Sequence, residues 1–370
     1  MRGPKWILIS LLCLATSILP GCSDSTTPAT TPPPTATKNY LYAVNASANT
    51  ITAWQIGASD GSLTPVTSPT AVFDAPVAAT IDPASKFIAV VNRNGGTLNV
   101  LVPSSTSGTL SEVAGSPFLL APTGGYEFSP VFDPIGDYLY ICDSVFTNSI
   151  SVYAVDASGK VDFSDTFPVA NSIYSLAIIP SAGYLYAFGT GISAFKIDLG
   201  GLTELTLSPF MSSLALANAK AVISPNGKFL LIADRDRSQL RIVGLNPDGT
   251  VGSDAAGSPL TLSAQPMAIA TNSTGTVAVV TTDAETVIAV PFDAVSGALG
   301  TPGTAVATGH LPRSVVFDLQ DKFVYVGNQN SGTVSGFVLG SGASLTPVPG
   351  SPYTAGADTI ELITTRFSSP

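Results

Sequence analysis

Seven times along this chain the same phrase returns: a turn, an aromatic-rich strand, an Asn or Asp, then a second strand. The aromatic phrases begin at Tyr40, Phe87, Tyr138, Tyr184, Phe229, Val277 and Phe323, so successive units lie 45 to 51 residues apart. A fixed period in the forties, filled with strands, is the signature of a β-propeller, here with seven blades. Each unit resolves into four strands. An inner strand of small and apolar residues reaches a tight turn, such as Pro225-Asn226-Gly227, where Asn-Gly favours reversal. The aromatic phrase follows, and then a third strand alternates polar and apolar residues, as in Thr50–Ile56 and Ser149–Val155. That alternation predicts a half-buried strand. A glycine recurs at the next hairpin (Gly61, Gly108, Gly159, Gly200, Gly249, Gly297 and Gly342), where a positive φ is expected. The fourth strand carries Leu-Thr-Pro or Gly-Ser-Pro, which an outer edge tolerates.

The two ends of the array are out of phase. The repeats begin at a second strand, Tyr40, and finish with an extra inner strand, Thr359–Phe367. The expectation is an all-β propeller over residues 39–370 with four antiparallel strands per blade. Its C-terminal strand pairs with the N-terminal three and removes the open edge of an unclosed array.

Composition bears on where such a ring works. Only 11% of residues are charged, against about 25% in ordinary globular chains. The formal charge is −10, and more negative by two if Arg2 and Lys5 leave with a leader, which argues against nucleic acid as a partner. Residues 1–21 read as a secretion signal, a positive end followed by a short apolar run. It closes on Leu19-Pro20-Gly21-Cys22, which resembles a bacterial lipobox, so Cys22 is the expected lipidation site and membrane anchor. Residues 22–38, the lipidated Cys and a Ser/Thr/Pro-rich stretch, read as a tether. The expected location is the bacterial cell envelope, facing the periplasm or the cell surface. Cys13 leaves with the leader, so Cys142 stands alone mid-strand and reads as a buried thiol in a monomer.

Several chemistries drop out. His310 is the single histidine, which excludes a His-rich metal site and an HExxH motif. Gly57-Ala-Ser-Asp-Gly61 spells G-x-S-x-G, yet it sits at a hairpin with no helix after it, so Ser59 is turn chemistry. Asp234-x-Asp236-x-Ser238 lacks the glycine and terminal Glu of a calcium loop. No haem motif occurs, and Trp6 and Trp54 are the only tryptophans. No metal and no cofactor are expected.

Because strands reverse at each turn, loops before the inner strands share one face with loops joining second to third strands. The first group brings Tyr126, Glu127, Tyr174, Lys220, His310, Arg313 and Glu361 to that face. The second brings Asp234, Arg235 and Asn328. Polar groups converging on a concavity form a ligand-site hypothesis, and a water-filled mouth explains them equally well.

Phe323-Val-Tyr-Val-Gly-Asn-Gln-Asn-Ser-Gly-Thr-Val-Ser335 resembles the YVTN-type repeat, and the chain from about residue 39 onward resembles the lactonase-like seven-bladed propellers, relatives of one class of 6-phosphogluconolactonase. Gly309-His-Leu-Pro-Arg313 is similar to that family's Gly-x-x-Pro-Arg segment. The resemblance implies that Arg313 is an active-site cation able to hold a carboxylate or phosphate. Where those lactonases carry a His before another inner strand, Ala219 stands beside Lys220. Of their Asp-Leu-Gly-x-Asp phrase only Asp234 is in place.

Two functions follow as expectations. The first is a binding module for a glycan, a small anion or an envelope protein. It would use Lys220, Tyr126, Tyr174, Asn328, Asp234, Arg235 and Glu361. The alternative is a lactonase-type hydrolase of a sugar lactone, with Arg313 on the anionic group and His310 or Glu127 activating water. Export counts against the phosphorylated family substrate, which is a cytoplasmic metabolite.

Overall fold

The structure, a computed structural model, describes residues 38–66, 68–120, 129–143, 148–179, 183–216 and 219–367. The leader, Cys22, the tether as far as residue 37, Tyr126 and Glu127 lie outside the described residues, while Lys38 opens the first strand. Seven antiparallel sheets form, one per repeat, and among the described residues the only helical element is the turn Ser341–Ala343. Blade 1 is composite: Thr359–Phe367 is its inner strand and pairs antiparallel with Lys38–Asn45, from Lys38 opposite Phe367 to Asn45 opposite Thr359. The inner strands of neighbouring blades touch in sequence, and the contacts run round from blade 1 to blade 7 and back. The ring is closed as the phase of its ends predicts.

The cores lie between blades. Seven clusters of buried side chains form, each drawing on two neighbouring sheets. The cluster of Leu41, Trp54, Phe323, Tyr325 and Leu362 joins blades 7 and 1. A sheet packed on both faces has no solvent side, so second strands such as Phe229–Asp234 are buried at every position.

This differs from the sequence expectation for the third strands. Their polar alternates are buried: Thr52, Asn99, Ser151 and Ser335 are all under a tenth exposed. The reason is a polar clamp seven residues long. Asn45 Nδ2 donates to Thr52 Oγ1 at 3.0 Å, Asn92 Nδ2 to Asn99 Oδ1 at 2.8 Å and Asn328 Nδ2 to Ser335 Oγ at 3.0 Å. The Asn that ends a second strand thus binds the polar residue of the third. Alternation here marks paired polar groups inside the sheet, where an unpaired one would cost about 1–3 kcal/mol.

The fourth strands are also split in blades 1, 2, 4, 5 and 7. The break falls at Ser-Pro in blades 2, 4, 5 and 7, where the peptide bond is cis. Proline has no N–H to give. Across the gap the serine hydroxyl accepts from the third strand instead: Ser258 Oγ from Ile242 N at 2.8 Å, Ser351 Oγ from Gly336 N at 2.9 Å.

The hairpin glycines lock neighbouring blades. Each has a positive φ, and six lie under the aromatic ring that starts the second strand of the preceding blade: Tyr40 on Gly108, Phe87 on Gly159, Tyr138 on Gly200, Tyr184 on Gly249, Phe229 on Gly297, and Phe323 on Gly61 across the closure. Two residues on, tyrosine hydroxyls donate to the same glycines: Tyr42 to Gly108 O at 2.9 Å, Tyr186 to Gly249 O at 2.8 Å, Tyr325 to Gly61 O at 2.7 Å. Burial pushes these phenols up, so they remain donors. The seventh position is the exception. Val277 replaces the aromatic, and a Cβ on Gly342 would meet nothing within 4 Å.

That exception makes a test. On Gly159 a Cβ would stand 2.6 Å from Phe87 Cε1 at a φ of +83°. Gly159→Ala should therefore cost about 2–4 kcal/mol, the left-handed strain plus overpacking. Gly342→Ala should cost only about 1 kcal/mol, the strain alone. Urea denaturation of both variants checks this, and equal losses would refute the ring-on-glycine account.

Candidate active site

The mouth at the centre of the ring holds a cavity of about 700 Å³. A recurring β-bulge fills it with side chains. In blades 1, 2, 4, 6 and 7 the pairing of inner and second strands slips by one residue near the start of the inner strand. The residues left unpaired are Ile360, Val77, Tyr174, Met267 and Arg313, and all five line the cavity. A bulge re-aims the side chain it carries.

The Gly-x-x-Pro-Arg segment shows how one of them is set. Gly309 lies against Asn328, where a Cβ would stand 2.8 Å from the amide, and Gly309 N donates to Asn328 Oδ1 at 3.1 Å. Leu311 adopts a φ of +56°, and its carbonyl accepts from Gln329 N at 2.9 Å. Pro312 then pairs with Asn328 and leaves Arg313 in the bulge. Arg313 is exposed to the mouth, with Gln329 Oε1 at 3.4 Å from Nη1.

One register position further, the inner wall is mostly small: Ala78, Ser175, Ala268 and Ser314. The equivalent residues of blades 1 and 5 are Glu361 and Lys220, and both line the cavity. Ser314, buried, donates to Glu361 Oε1 at 3.0 Å and accepts from Leu362 N at 2.9 Å. Its one hydroxyl proton is committed to the carboxylate. Glu361 is half-buried by surface and sits at depth in the protein. Depth governs its titration. Burial pushes the carboxyl above its ordinary value, while Lys220, the Ser314 hydroxyl and Arg313 draw it back down.

Around this centre charges of both signs gather. Lys220 and Arg235 come from blade 5, Arg313 from blade 7 and Arg93 from blade 2. Asp74 and Asp358 stand on the blade 1–2 side, where Asn49 and Asn94 donate to Asp74 and Ser47 donates to Asp358. Within a chain of net charge −10, the cavity collects four cations against three carboxylates. It offers an anion a site.

Of the residues singled out in the sequence, Arg313, Lys220, Tyr174, Arg235 and Glu361 meet at this cavity. Three do not. Asn328 is fully buried and belongs to the polar clamp, so its amide is not available to a ligand. Asp234 is buried as well and pairs with Arg237 Nη1 at 3.0 Å. His310 stays on the outer rim, where its Nδ1 lies 2.5 Å from Glu285 Oε1, and it does not line the cavity. Among the described residues no group of three or more His, Cys, Asp or Glu is arranged to hold a metal. Cys142 is buried and outside any disulfide.

The model of the family described as Lactonase, 7-bladed beta-propeller matches residues 34–123 and 190–346, well over half of the chain. No curated protein matches. Among solved structures, the periplasmic gluconolactonase PpgL of Pseudomonas aeruginosa is similar over 90% of this chain and 100% of its own, at 17% identity and a TM-score of 0.71. A candidate 6-phosphogluconolactonase of Bacteroides fragilis covers 89% of this chain and 98% of its own, at 16% identity and a TM-score of 0.72. The hydrazine synthase of Kuenenia stuttgartiensis is also similar, over 82% of this chain and 92% of its own, at 17% identity and a TM-score of 0.58. At such identities likeness carries the fold alone, and the fold serves unrelated chemistry. The extent of the family match, on a ring of seven four-stranded sheets, identifies the chain as a member of the seven-bladed β-propeller lactonase family.

Proposed function

We propose that this protein hydrolyses the lactone of a sugar acid, in the central cavity, with Glu361 as general base. The observation that carries the reading is one carboxyl raised by burial and faced by Lys220 and Arg313 at the floor of the mouth. An acid whose pKa is moved toward neutrality can take a proton from water and later return it. In the reaction, Glu361 accepts a proton as a water oxygen bonds to the lactone carbonyl carbon. The carbonyl oxygen gains the charge, next to the cations. The ring C–O bond then breaks, and protonated Glu361 delivers its proton to the leaving alkoxide. The product is a hydroxy acid whose carboxylate pairs with Arg313 or Lys220. The relatives named gluconolactonase support the substrate class. Placement in the envelope through lipid on Cys22 belongs to the same proposal, and that part fails if Cys22 carries no lipid.

A colorimetric screen of sugar lactones at fixed pH tests this. Wild type should turn over at least one, and Arg313→Ala should lower kcat/KM by about 10²–10³, the usual cost of removing one donor to a developing oxyanion. No turnover by wild type would overturn it. One observation favours a second reading, a module that binds the same anionic sugar without hydrolysis. The single histidine is engaged with Glu285 outside the cavity, so no imidazole serves the mouth.

A further inference from the structure

The cavity is larger than a single sugar needs. A six-carbon aldonolactone has a dozen heavy atoms, and at no more than the roughly 30 Å³ a water takes in the liquid it fills at most about half of the 700 Å³. Beside it, over blades 7 and 1, opens a second cleft of about 480 Å³. Gln329 and Asp358 border both spaces, so the cleft continues the cavity at its rim. Its lining is of another kind. Asn330, Ser331, Thr354 and Gly356 bring amide, hydroxyl and backbone groups, with no cation and no aromatic ring.

The walls are built to keep their shape. Asn330 N donates to His310 O at 3.2 Å, and Ala355 N to Gly332 O at 2.9 Å. His310 N donates to Ser331 Oγ at 2.7 Å. A Cβ on Gly332 would stand 2.6 Å from Gly356 O, so the two loops touch through backbone. Yet the Asn330 side-chain amide is exposed and has no hydrogen-bond partner among the described residues, and the Asp358 carboxylate accepts from Ser47. Neutral donors and acceptors on a rigid frame, next to one carboxylate, suit the hydroxyls of a pyranose. A nucleotide would want a cation or a stacking ring, and an acidic group would be repelled by Asp358.

We infer that the ligand has two sugar units: an aldonolactone end over Glu361, and a neutral pyranose in the cleft of Gln329, Asn330, Ser331 and Asp358. The inference rests on the lactone-hydrolase reading for its substrate but not for its geometry. A second pyranose adds eleven heavy atoms, about 330 Å³ by the same bound, and the cleft admits it.

Two measurements on the full-length protein and Asn330→Ala test it. In the first, kcat/KM is compared for glucono-δ-lactone and for the δ-lactones of cellobionic and maltobionic acids. Wild type should favour a disaccharide lactone by about tenfold, the worth of one or two net hydrogen bonds, and Asn330→Ala should bring the ratio toward one. In the second, calorimetric titration compares gluconate with cellobionate and maltobionate, which requires no turnover. Tighter binding of a disaccharide acid, weakened in Asn330→Ala, supports the two-unit site even where no lactone is hydrolysed, and there hydrolysis alone fails. Turnover with a wild-type ratio near one, or equal binding of all three acids, overturns the two-unit site and leaves hydrolysis standing.

Discussion

Deleting residues 358–370 should abolish cooperative folding of the monomer. The lost strand supplies the whole inner edge of blade 1, so Lys38–Asn45 would present an unpaired row of backbone groups. Those groups flank Leu41, Tyr42, Ala43 and Val44, all fully buried in the intact ring. Leu362 leaves the cluster joining blades 7 and 1, and Ile363 leaves the one joining blades 1 and 2. Each such aliphatic is worth about 2–5 kcal/mol in a packed core. Polar links go too: Thr359 Oγ1 to Asn45 Oδ1 at 2.9 Å and Thr364 Oγ1 to Phe317 O at 3.1 Å. The sum approaches the 5–15 kcal/mol that stabilises a typical domain. An exposed apolar edge recruits other chains, so the expected product elutes as oligomers or aggregates. Light scattering after size exclusion and a circular dichroism melt check this. A truncated chain that is monomeric with unchanged melting would mean that the ring does not depend on its closing strand. Deletion of residues 23–37, rich in Ser, Thr and Pro, is the matched control and should leave melting unaltered.

The closing strand was legible in the sequence because it is a surplus in a count. Seven aromatic phrases, the first with no inner strand before it and the last with one left over after it, leave one way to finish the ring. The hairpin glycines were legible for the same reason, although the ring each lies beneath is on another blade and no local pattern reveals it. The site was read less well. Arg313 and Asn328 both looked like polar residues at the mouth, and only the register separates them: Arg313 is left over by a bulge, while Asn328 is paired and clamped to Ser335. The clamp does have a sequence trace, an Asn followed seven residues later by Thr, Asn or Ser, at Asn45, Asn92 and Asn328. The bulge has hardly any, because one extra residue shifts no composition. His310 drew attention by being alone in its kind, and its partner Glu285 comes from the neighbouring blade. The role of Ser314 was invisible: its link to Glu361 joins residues 47 apart that become neighbours only when the ring closes.

Glu361→Gln should remove turnover and, at neutral pH, stabilise the fold. Replacing the base with an isosteric amide takes away proton transfer, an effect of about 10²–10⁴ on kcat. Stability moves the other way, and pH separates the two. The ordinary value of the carboxyl is 4.5, and burial lifts it in the folded chain. Between those two values the folded chain keeps a proton that the unfolded chain has released. Stability therefore falls as pH rises through that window, and above it a carboxylate is held at depth at a constant cost. Glutamine has no proton to lose. The melting temperature of Glu361→Gln should thus match wild type near pH 4 and exceed it increasingly until the folded value is passed. In wild type the rate should rise with pH over the same window, since the base acts only when ionised. Arg313→Ala, which takes away a cation that favours the carboxylate, should carry the acid limb of the pH–rate profile to higher pH. Wild-type turnover in Glu361→Gln would dismiss this residue as the base. A lower melting temperature at pH 7.5 would mean that its hydrogen bonds, rather than its burial, govern the energetics of the floor.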